Sequence, residues 1–459
     1  TATLILDDGV TTANATVDIA NSLTLTDLSA VTIDVSKDSF TTTGFTPSSI
    51  TNITGSADNT SVTINAGANG VTLAGTHDLS GATGGGALVI NSDGVVGLGA
   101  SVFDVASLTH TGSGAVTHTA AKSAELNAVT TGSGIDTLTW TALTESLTLN
   151  TGGGNDSVIL NASTTAAKTY TIDLGDGTTD TLTLSNTVDL NNGTSFSLSN
   201  TEILNFANGT TAVTVATGLL SGANYLLKHA TAADTLIITA ELGATDTSAN
   251  FSSLVVDGAS LTAADSIVVD GSAKTSALSL AGVNTISNTL TGGTKNDTIT
   301  GGDVADTLDG RAGADIINGG AGDDIITGGD GGDVLTGGTG NNTYVYAGAD
   351  ADTGESITFN TTTGATETIS ATGNVDATAI NAGALLTGLD AVSLATGVTL
   401  TAGGAQVTGL TVAVTGVNGG ATETMVVQGT GQDNVITIAN FGQTDATLQL
   451  DGVGGADTL

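Results

Sequence analysis

Aspartates recur every nine residues between positions 292 and 345. Six consecutive nine-residue segments read GGTKNDTIT, GGDVADTLD, GRAGADIIN, GGAGDDIIT, GGDGGDVLT and GGTGNNTYV. Their sixth positions are Asp297, Asp306, Asp315, Asp324, Asp333 and Asn342. Calcium is a hard cation that takes about 6–8 oxygen ligands from carboxylates, amides and backbone carbonyls. Side chains of this type, repeated at a regular spacing, supply oxygens of the kind that a hard cation such as calcium takes.

The other positions of the repeat explain how the chain places these side chains. Glycine dominates positions 1, 2 and 4, where it lets the backbone adopt left-handed turns and aim its carbonyl groups inward. Position 8 is apolar in every copy: Ile299, Leu308, Ile317, Ile326, Leu335 and Tyr344. Because side chains alternate faces along a strand, position 8 is the one that must point inward. Each repeat therefore predicts a glycine-rich turn followed by a short strand.

The frame Gly-Gly-x-Gly-x-Asp-x-apolar-x resembles the nonapeptide of the RTX (repeats-in-toxin) family, a calcium-binding β-roll. The resemblance implies a flattened right-handed coil, with two repeats in each turn and calcium between successive turns. One edge of the roll would then carry Asp297, Asp315 and Asp333. The other edge would carry Asp306, Asp324 and Asn342. Lys295 and Arg311 replace glycines of the frame and Asn342 lacks the charge, so we expect the inner sites to bind best.

Electrostatics predicts that such a roll needs its cation. Stacked turns lie ~4.8 Å apart. Two carboxylates at that separation repel by roughly 3.5 kcal/mol at an effective dielectric constant of about 20. Calcium would convert each repulsive pair into a bridge, so we expect folding of this segment to be coupled to metal binding.

Position 7 should face outward, yet three copies carry an apolar residue there: Ile316, Ile325 and Val334. One interpretation is that β-branched residues simply suit strands. The other is that a flanking segment or a neighbouring subunit covers the outside of the roll.

A second, weaker repeat precedes the roll. TGSGAVTHT begins at Thr111, TGSGIDTLT at Thr131 and TGGGNDSVI at Thr151, which gives a period of twenty residues. The last two copies place Asp136 and Asp156 at the calcium position, whereas Asp180 keeps only the end of the frame. Near the end of the chain, QGTGQDNVI places Asp433 at the same position. We predict Asp136, Asp156 and Asp433 as further calcium ligands.

The pattern on both sides of the roll predicts strands. Apolar β-branched residues alternate with Thr, and a twenty-residue unit of two strands and two turns is one coil of a stacked solenoid. We therefore predict an all-β chain, a parallel β-solenoid or β-helix with an embedded RTX calcium β-roll. Residues 1–291 would be a Thr-rich solenoid with scattered calcium turns, 292–346 the roll, and 347–459 a second solenoid segment. The chain breaks off within what reads as another repeat, so we expect it to be part of a longer polypeptide.

Charge limits the partners. The chain has 45 acidic residues against 7 basic ones, a net charge of −38, which argues against nucleic acid and against anionic membranes. No apolar run approaches the ~18 residues that a membrane span needs, so we expect no membrane insertion. Cysteine is absent, and disulfides are therefore excluded.

Catalytic motifs are missing from the sequence. There is no His-Glu-x-x-His zinc motif and no Gly-x-Ser-x-Gly nucleophile elbow. The four histidines are scattered, although His110 and His118 could be neighbours that bind a metal. Basic groups for acidic sugars are also scarce. We expect no enzymatic activity.

The sequence favours an extracellular, cell-surface structural protein. Its RTX resemblance implies export by type I secretion into calcium. Residues 199–206 and 386–394 resemble strand phrases of surface-layer proteins that carry RTX repeats. We expect the chain to assemble with itself into a lattice or filament, a surface layer or sheath, with cell-surface polysaccharide as a further candidate partner. The alternative is a segment of a large RTX adhesin that acts as a binding module.

Overall fold

The structure is a computed structural model. It describes residues 2–5, 18–24, 30–34, 48–54, 61–68, 70–73, 76–78, 86–99, 101–120, 126–185, 188–191, 195–207, 210, 212–229, 236–257, 261–262, 264–347, 354–376, 378, 380, 386–395, 398–403, 411–416, 424–428, 437–441 and 447–451. Two compact units divide the chain. Unit 1 comprises Thr1–Leu219 and Asn224–Leu236, and unit 2 comprises Leu220–Ala223 and Ile237–Leu459.

Unit 1 is built from two parallel sheets. The strands of the first, in spatial order, are Ala2–Ile5, Ala30–Asp34, Ser61–Gly67, Ala87–Ser92, Ser107–Thr111, Ala128–Thr130, Leu147–Asn150, Thr169–Asp173 and Ser195–Ser199. Those of the second are Val102–Asp104, Thr76–Asp78, Ser48–Thr54, Val71–Leu73, Val96–Gly99, Val116–Ala120, Thr137–Trp140, Ser157–Leu160, Thr181–Leu184, Ile203–Phe206 and Leu226–His229, with Asp18–Thr24 beside Ser48–Thr54. Val188–Asp189 pairs with Ala212–Ala216, and the four-residue helix is Thr217–Leu220. From Ser107–Thr111 to Thr181–Leu184 successive strands alternate between the two sheets, which is the arrangement of a β-solenoid.

Unit 2 repeats this arrangement. One sheet contains Ile237–Glu241, Ser266–Asp270, Ser287–Thr291, Thr307–Asp309, Ile325–Thr327, Thr343–Ala347, Glu367–Gly373, Leu389–Leu394, Thr411–Gly416 and Thr437–Phe441. A second contains Ser248–Asn250, Ser279–Ala281, Thr298–Gly302, Ile316–Ala321, Val334–Thr339 and Ser356–Thr358. The remaining strands are Val255–Val256 and the set Val375–Asp376, Thr399–Gly403, Thr424–Gln428 and Thr447–Asp451. The predicted all-β fold with parallel solenoid sheets is confirmed.

The nine-residue roll lies within the sheets of unit 2. Ser279–Ala281 before it and Ser356–Thr358 after it pair with roll strands in the same sheet. The register carries straight through, because Leu280, Ile299 and Ile317 stack in line. The roll therefore continues the solenoid of unit 2 on both sides, while the predicted division at residues 291 and 346 stays a prediction.

Alternation along each short strand decides which side chains form the core. The position-8 residues of the six repeats are at most 1% exposed. They stack on one another in two columns, for example Leu308 on Ile326 and Ile326 on Tyr344. Parallel stacking in register buries each of them against its equivalents one rung away, which a single repeat could not do.

Close approach of the rungs makes glycine necessary at the turns. Gly320, at position 2, has a φ of 107°, and a Cβ there would collide with the carbonyl oxygen of Gly302 in the rung below. Arg311 occupies the equivalent position one repeat earlier and adopts a φ of 70°, which is unfavourable for a residue with a side chain. The replacement of glycine by Arg311 at position 2 therefore places local backbone strain at this turn.

The outward position 7 is exposed in the single chain. Ile316, Ile325 and Val334 are 54%, 46% and 43% exposed, so no segment of the described part of the chain covers them. Cover by a neighbouring subunit stays a prediction. The described residues also contain no helix that is long and apolar enough to cross a membrane.

Replacing Ile317 with Ala should lower the free energy of unfolding by about 2–5 kcal/mol, because truncation of a buried side chain leaves a cavity between the rungs. Its chain neighbour Ile316 is exposed, so Ile316→Ala should change that free energy by less than about 0.5 kcal/mol. Denaturant titration of both variants in saturating calcium, with hydrogen exchange of peptides from the roll, measures the difference. Equal effects would contradict the alternation of inward and outward side chains.

Candidate calcium-binding site

Two columns of carboxylates follow the edges of the roll. The backbone N–H of Asp297 donates to Oδ1 of Asp315 (2.6 Å), and that of Asp315 donates to Oδ1 of Asp333 (2.7 Å). At the other edge, the N–H of Asp306 donates to Oδ1 of Asp324 (2.9 Å) and that of Asp324 to Oδ1 of Asn342 (3.2 Å). The structure thus brings the six predicted residues together in two columns of three, with one charge-assisted or polar bond per rung.

The second oxygen of these carboxylates is buried. Asp306, Asp315 and Asp324 are at most 2% exposed, and their Oδ2 atoms have no hydrogen-bond partner. A buried carboxylate oxygen without a partner is costly, because it has lost its hydration without replacement. Each column therefore presents a series of buried oxygens that a cation would satisfy.

Glycine at position 1 keeps space beside these oxygens. A Cβ at Gly319 would collide with Oδ2 of Asp324 and with the carbonyl oxygen of Gly337, one rung away. Gly310 stands in the same relation to Oδ2 of Asp315 and to the carbonyl of Gly328. Carboxylate and carbonyl oxygens of neighbouring rungs therefore face one glycine, where no side chain intervenes.

These features fit calcium. All the groups are hard oxygen donors, and several come from the backbone, as in other calcium sites. Within the described ranges, no three His, Asp or Glu side chains come together as a metal-binding group. The oxygens that would hold an ion here are the aspartate Oδ2 atoms together with the glycine carbonyls.

Burial changes the protonation of the columns. It raises the pKa of Asp306 to about 6, and that of Asp315 and Asp324 to about 7. The neighbouring carboxylates of the same column raise the pKa of Asp315 and Asp324 further, because each adds a negative charge nearby. Protons and calcium would therefore compete for these oxygens near neutral pH.

An asparagine terminates the lower end of one column. Asn288 donates to Oδ1 of Asp306 from both its backbone N–H (2.7 Å) and its side-chain Nδ2 (2.8 Å). Its own Oδ1 accepts the N–H of Val283 (2.8 Å), and it is 1% exposed. An amide donor thus holds the last carboxylate, in place of another negative charge.

The upper end of the same column closes in a similar way. Nδ2 of Asn342 donates to Oε1 of Glu367 (3.0 Å), and the hydroxyl of Tyr344 lies 3.1 Å from Oε2 of that residue. A Cβ at Gly337 would collide with Nδ2 of Asn342, where the lower rungs present a carboxylate oxygen. At this end the amide of Asn342 and the hydroxyl of Tyr344 therefore occupy the place that a carboxylate Oδ2 takes in the lower rungs. Asp324 is the last aspartate of the column.

The other column ends on a glutamate. The N–H of Asp333 donates to Oε2 of Glu355 (3.2 Å), and the hydroxyl of Tyr346 donates to Oε1 (3.0 Å). Asn288, Glu355 and Glu367 were not predicted from the sequence. The two glutamates lie outside the nine-residue period, and the only signal for them is that Glu is rare in this Asp-rich chain.

Three of the predicted calcium ligands, Asp136, Asp156 and Asp433, lie outside the roll. Asp136 and Asp156 lie in successive turns of unit 1, where the N–H of Asp136 donates to Oδ1 of Asp156 (2.8 Å). Asp433 lies outside the described residues. The structure therefore brings two of these three residues together, in a unit separate from the roll.

The two histidines considered as a metal pair have different surroundings. The ring of His110 lies between the carbonyl of Ser92 (2.9 Å) and the N–H of Gly132 (3.3 Å). His118 instead belongs to a buried aromatic stack, with its ring centroid 5.6 Å from that of Phe103 and 5.9 Å from that of Trp140. Burial lowers the pKa of His118 to about 4, which keeps it neutral in that stack.

Comparison with known proteins identifies the roll. Residues 284–317, 309–344 and 327–353 match the family model of the RTX calcium-binding nonapeptide repeat (4 copies). No curated protein and no solved structure matches the chain. The match, the two carboxylate columns and the glycine turns agree, and this segment of the chain belongs to the RTX calcium-binding repeat family.

Proposed function

We propose that this chain is an extracellular structural protein, whose roll folds on binding calcium and which assembles with itself into a surface layer or similar sheath. RTX repeats in a β-solenoid are those of a calcium-binding protein. The observation that carries the proposal is the pair of columns of buried carboxylates, in which Oδ2 of Asp306, Asp315 and Asp324 has no hydrogen-bond partner.

The energy of the columns supports a folding role for calcium. Without a cation, each rung stacks one buried carboxylate on another, at a cost of roughly 3.5 kcal/mol per ionised pair at an effective dielectric constant of about 20. Native proteins have a total stability of only about 5–15 kcal/mol, so a few such pairs decide whether the roll folds. Calcium removes this cost, and extracellular calcium modules bind with a Kd of about 10⁻⁴–10⁻³ M. Such a roll would stay unfolded inside the cell and fold after export.

Charge supports self-assembly in the same medium. Copies with a net charge of −38 repel one another, and bound calcium lowers that charge. Sheet edges at the ends of a solenoid offer surfaces for a neighbouring copy. We propose a structural rather than a catalytic role, type I secretion as the route of export, and cell-surface polysaccharide as an additional partner.

Asp324→Asn should weaken calcium binding to the roll by roughly tenfold, equal to about 1.4 kcal/mol, because it removes one charged ligand and keeps the Oδ1 acceptor. The matched control is Asp323→Asn. Asp323 is the exposed neighbour of Asp324, so this change removes the same charge at the surface. Oδ1 of Asp323 accepts hydrogen bonds from the backbone N–H and Nδ2 of Asn341. Calorimetric calcium titration of both variants measures the difference. Equal affinities in the two variants would exclude Asp324 as a ligand.

The calcium-free protein should become more stable as the pH falls from about 8 to about 5. The pKa of Asp315 and Asp324 is raised from 3.8 to about 7, so the folded chain binds protons more tightly than the unfolded chain. This stabilisation is complete below the unfolded pKa of 3.8 and is lost as the pH rises through about 7. In saturating calcium the trend should reverse, because protons displace the ion.

Denaturation midpoints measured over this pH range, in chelator and in calcium, test that prediction. Asp324→Asn should reduce the pH dependence in chelator, since it removes one of the titrating groups. Asp323→Asn should reduce it less, because it removes only one of the neighbouring charges that raise the pKa of Asp324. Parallel pH profiles with and without calcium would show that protons and calcium do not share these carboxylates.

Purified protein in about millimolar calcium should form ordered sheets or filaments, and chelation should dissolve them and expose the roll to protease. Electron microscopy with limited proteolysis measures both effects, and Asp324→Asn should need more calcium than Asp323→Asn to assemble. An assembly that survives chelation unchanged would contradict the proposal. A single calcium-stiffened rod that never forms a lattice would instead favour the adhesin interpretation.

A further inference from the structure

A third column of carboxylates lies in unit 1, outside the residues that match the RTX family model. We propose that Asp136, Asp156 and Asp180 hold divalent cations of the calcium class in this column, independently of the roll. The inference extends the calcium role proposed above to a different part of the chain. The experiment below distinguishes its failure from the failure of that role.

The backbone geometry of this column repeats that of the roll. The N–H of Val116 donates to Oδ1 of Asp136 (2.7 Å), and that of Asp136 donates to Oδ1 of Asp156 (2.8 Å). The series continues from the N–H of Asp156 to Oδ1 of Asp180 (2.7 Å) and from that of Asp180 to Oε2 of Glu202 (2.8 Å). Four successive rungs thus carry one carboxylate each, although their spacing in the sequence varies between 20 and 24 residues.

An independent observation points to a ligand. Asp136, Asp156 and Asp180 are 0%, 1% and 0% exposed, and Oδ2 of each has no hydrogen-bond partner. One such oxygen could be a local defect of a turn. Three in successive rungs, each on a side chain whose Oδ1 is fixed by a backbone N–H, form a continuous line of buried acceptors that a cation or a proton would satisfy.

Neutral oxygens lie in the same turns. Thr131 and Thr151 occupy the position that glycine takes in the roll, and they are 3% and 0% exposed. Their hydroxyls donate to the carbonyls of Thr151 (3.0 Å) and Leu174 (2.8 Å), one rung away. Each hydroxyl oxygen keeps lone pairs, and hydroxyl oxygens are hard donors of the kind that calcium accepts.

At the upper end the column resembles the roll most closely. A Cβ at Gly177 would collide with Oδ2 of Asp180 and with the carbonyl oxygen of Gly154. Gly319 in the roll also lies against a carboxylate of its own rung and a carbonyl of an adjacent one, although it precedes its aspartate by five residues and Gly177 precedes Asp180 by three. The space that glycine leaves beside a carboxylate oxygen therefore recurs in unit 1.

This end of the column is open to solvent. A surface cleft beside it is lined by Gly154, Asn155, Asp176, Asn200 and Glu202, among others, and none of its lining residues is basic. Its side chains supply carboxylate and amide oxygens. A hydrated cation can therefore reach Glu202, whose Oε2 accepts the N–H of the buried Asp180, and this places an entry path at the end of the column.

Protons are the competing occupant, because burial raises the pKa of Asp136 to about 7 and that of Asp180 to about 6. The test must therefore separate a cation from a proton. Asp156→Asn does so, because the amide keeps an Oδ1 acceptor for the N–H of Asp136 but mimics the protonated acid. A column that holds protons would tolerate this change, whereas one that holds calcium would lose an ion.

Trp140 reports on this column within the full chain. It is the one tryptophan of the sequence, it is 0% exposed, and its strand Thr137–Trp140 begins directly after Asp136. Its fluorescence therefore follows the unfolding of unit 1, without a contribution from the tyrosines Tyr344 and Tyr346 of unit 2 when tryptophan is excited selectively. Urea titrations in calcium and in chelator give the calcium-dependent shift of this transition.

The comparison uses three variants of the full chain. Asp156→Asn changes the column, Asp104→Asn removes one charge from unit 1 on the strand Val102–Asp104, and Asp324→Asn changes the roll. We expect calcium to raise the Trp140 midpoint in the wild type, in Asp104→Asn and in Asp324→Asn. In Asp156→Asn most of that shift should be lost, with the apparent calcium affinity reduced about tenfold or more. Its midpoint in chelator should equal or exceed that of the wild type, which shows that it folds.

Three outcomes would overturn the inference. They are no calcium shift of the Trp140 transition in the wild type, an equal shift in Asp156→Asn, and a shift abolished by Asp324→Asn, which would mean that calcium acts through the roll. In each of these three outcomes, a separate calorimetric titration of calcium binding by the roll tests the proposed function on its own. Metal analysis after equilibrium dialysis completes the test, since Asp156→Asn should retain at least one calcium ion fewer than Asp104→Asn.

Discussion

A single bond, repeated once per rung, determines both the spacing of the turns and the chemistry of their edges. The backbone N–H of each column aspartate donates to Oδ1 of the equivalent residue one rung away, as between Asp315 and Asp333. That bond fixes the side chain and leaves Oδ2 buried beside the glycine of its own turn. In Asp306, Asp315 and Asp324 the interaction that holds two rungs together therefore also leaves a buried oxygen that a proton or a cation would satisfy.

This constraint explains why the columns have defined ends. A column of carboxylates accumulates repulsion with each rung, so a continuous run must stop at a neutral or compensated group. Asn288 and Asn342 supply amide donors at the two ends of one column, and Tyr346 donates to the glutamate that ends the other. The chain itself thereby limits where an ion can bind, and the two edges of the roll are not equivalent.

The parts of the molecule that the sequence predicts are those in strict register. Ile317 is buried and Ile316 is exposed, because the nine-residue period fixes which side of a short strand each one faces. The same period places Asp297 on the same edge as Asp315, although they are far apart in the sequence. The β-solenoid could therefore be derived from periodicity and alternation. The arrangement of position 6 in two columns followed instead from the resemblance to the RTX family, which implies two repeats in each turn.

The parts that escaped prediction lie where the loop between rungs changes length. Glu355 follows Asp333 by 22 residues and Glu367 follows Asn342 by 25, so neither is visible to a search with a period of nine. The spacing from Asp156 to Asp180 in unit 1 is irregular for the same reason. Rung-to-rung register depends on how the strands stack, and a longer loop preserves that stacking while it hides the repeat.

The cost of the columns gives one physical basis for both steps of the proposed function. Where calcium is scarce, burial of the column carboxylates opposes folding. The pKa of Asp324 is raised from 3.8 to about 7, so at neutral pH a carboxylate that is ionised in the unfolded chain must be buried with its charge or take up a proton. In the proposed function, the unfolded chain is the form that is exported. Under the same proposal, these carboxylates become ligands where calcium is abundant, and the free energy of binding becomes free energy of folding. A more neutral roll would fold earlier and respond less to calcium, so the unfavourable charge is what couples folding to the surroundings.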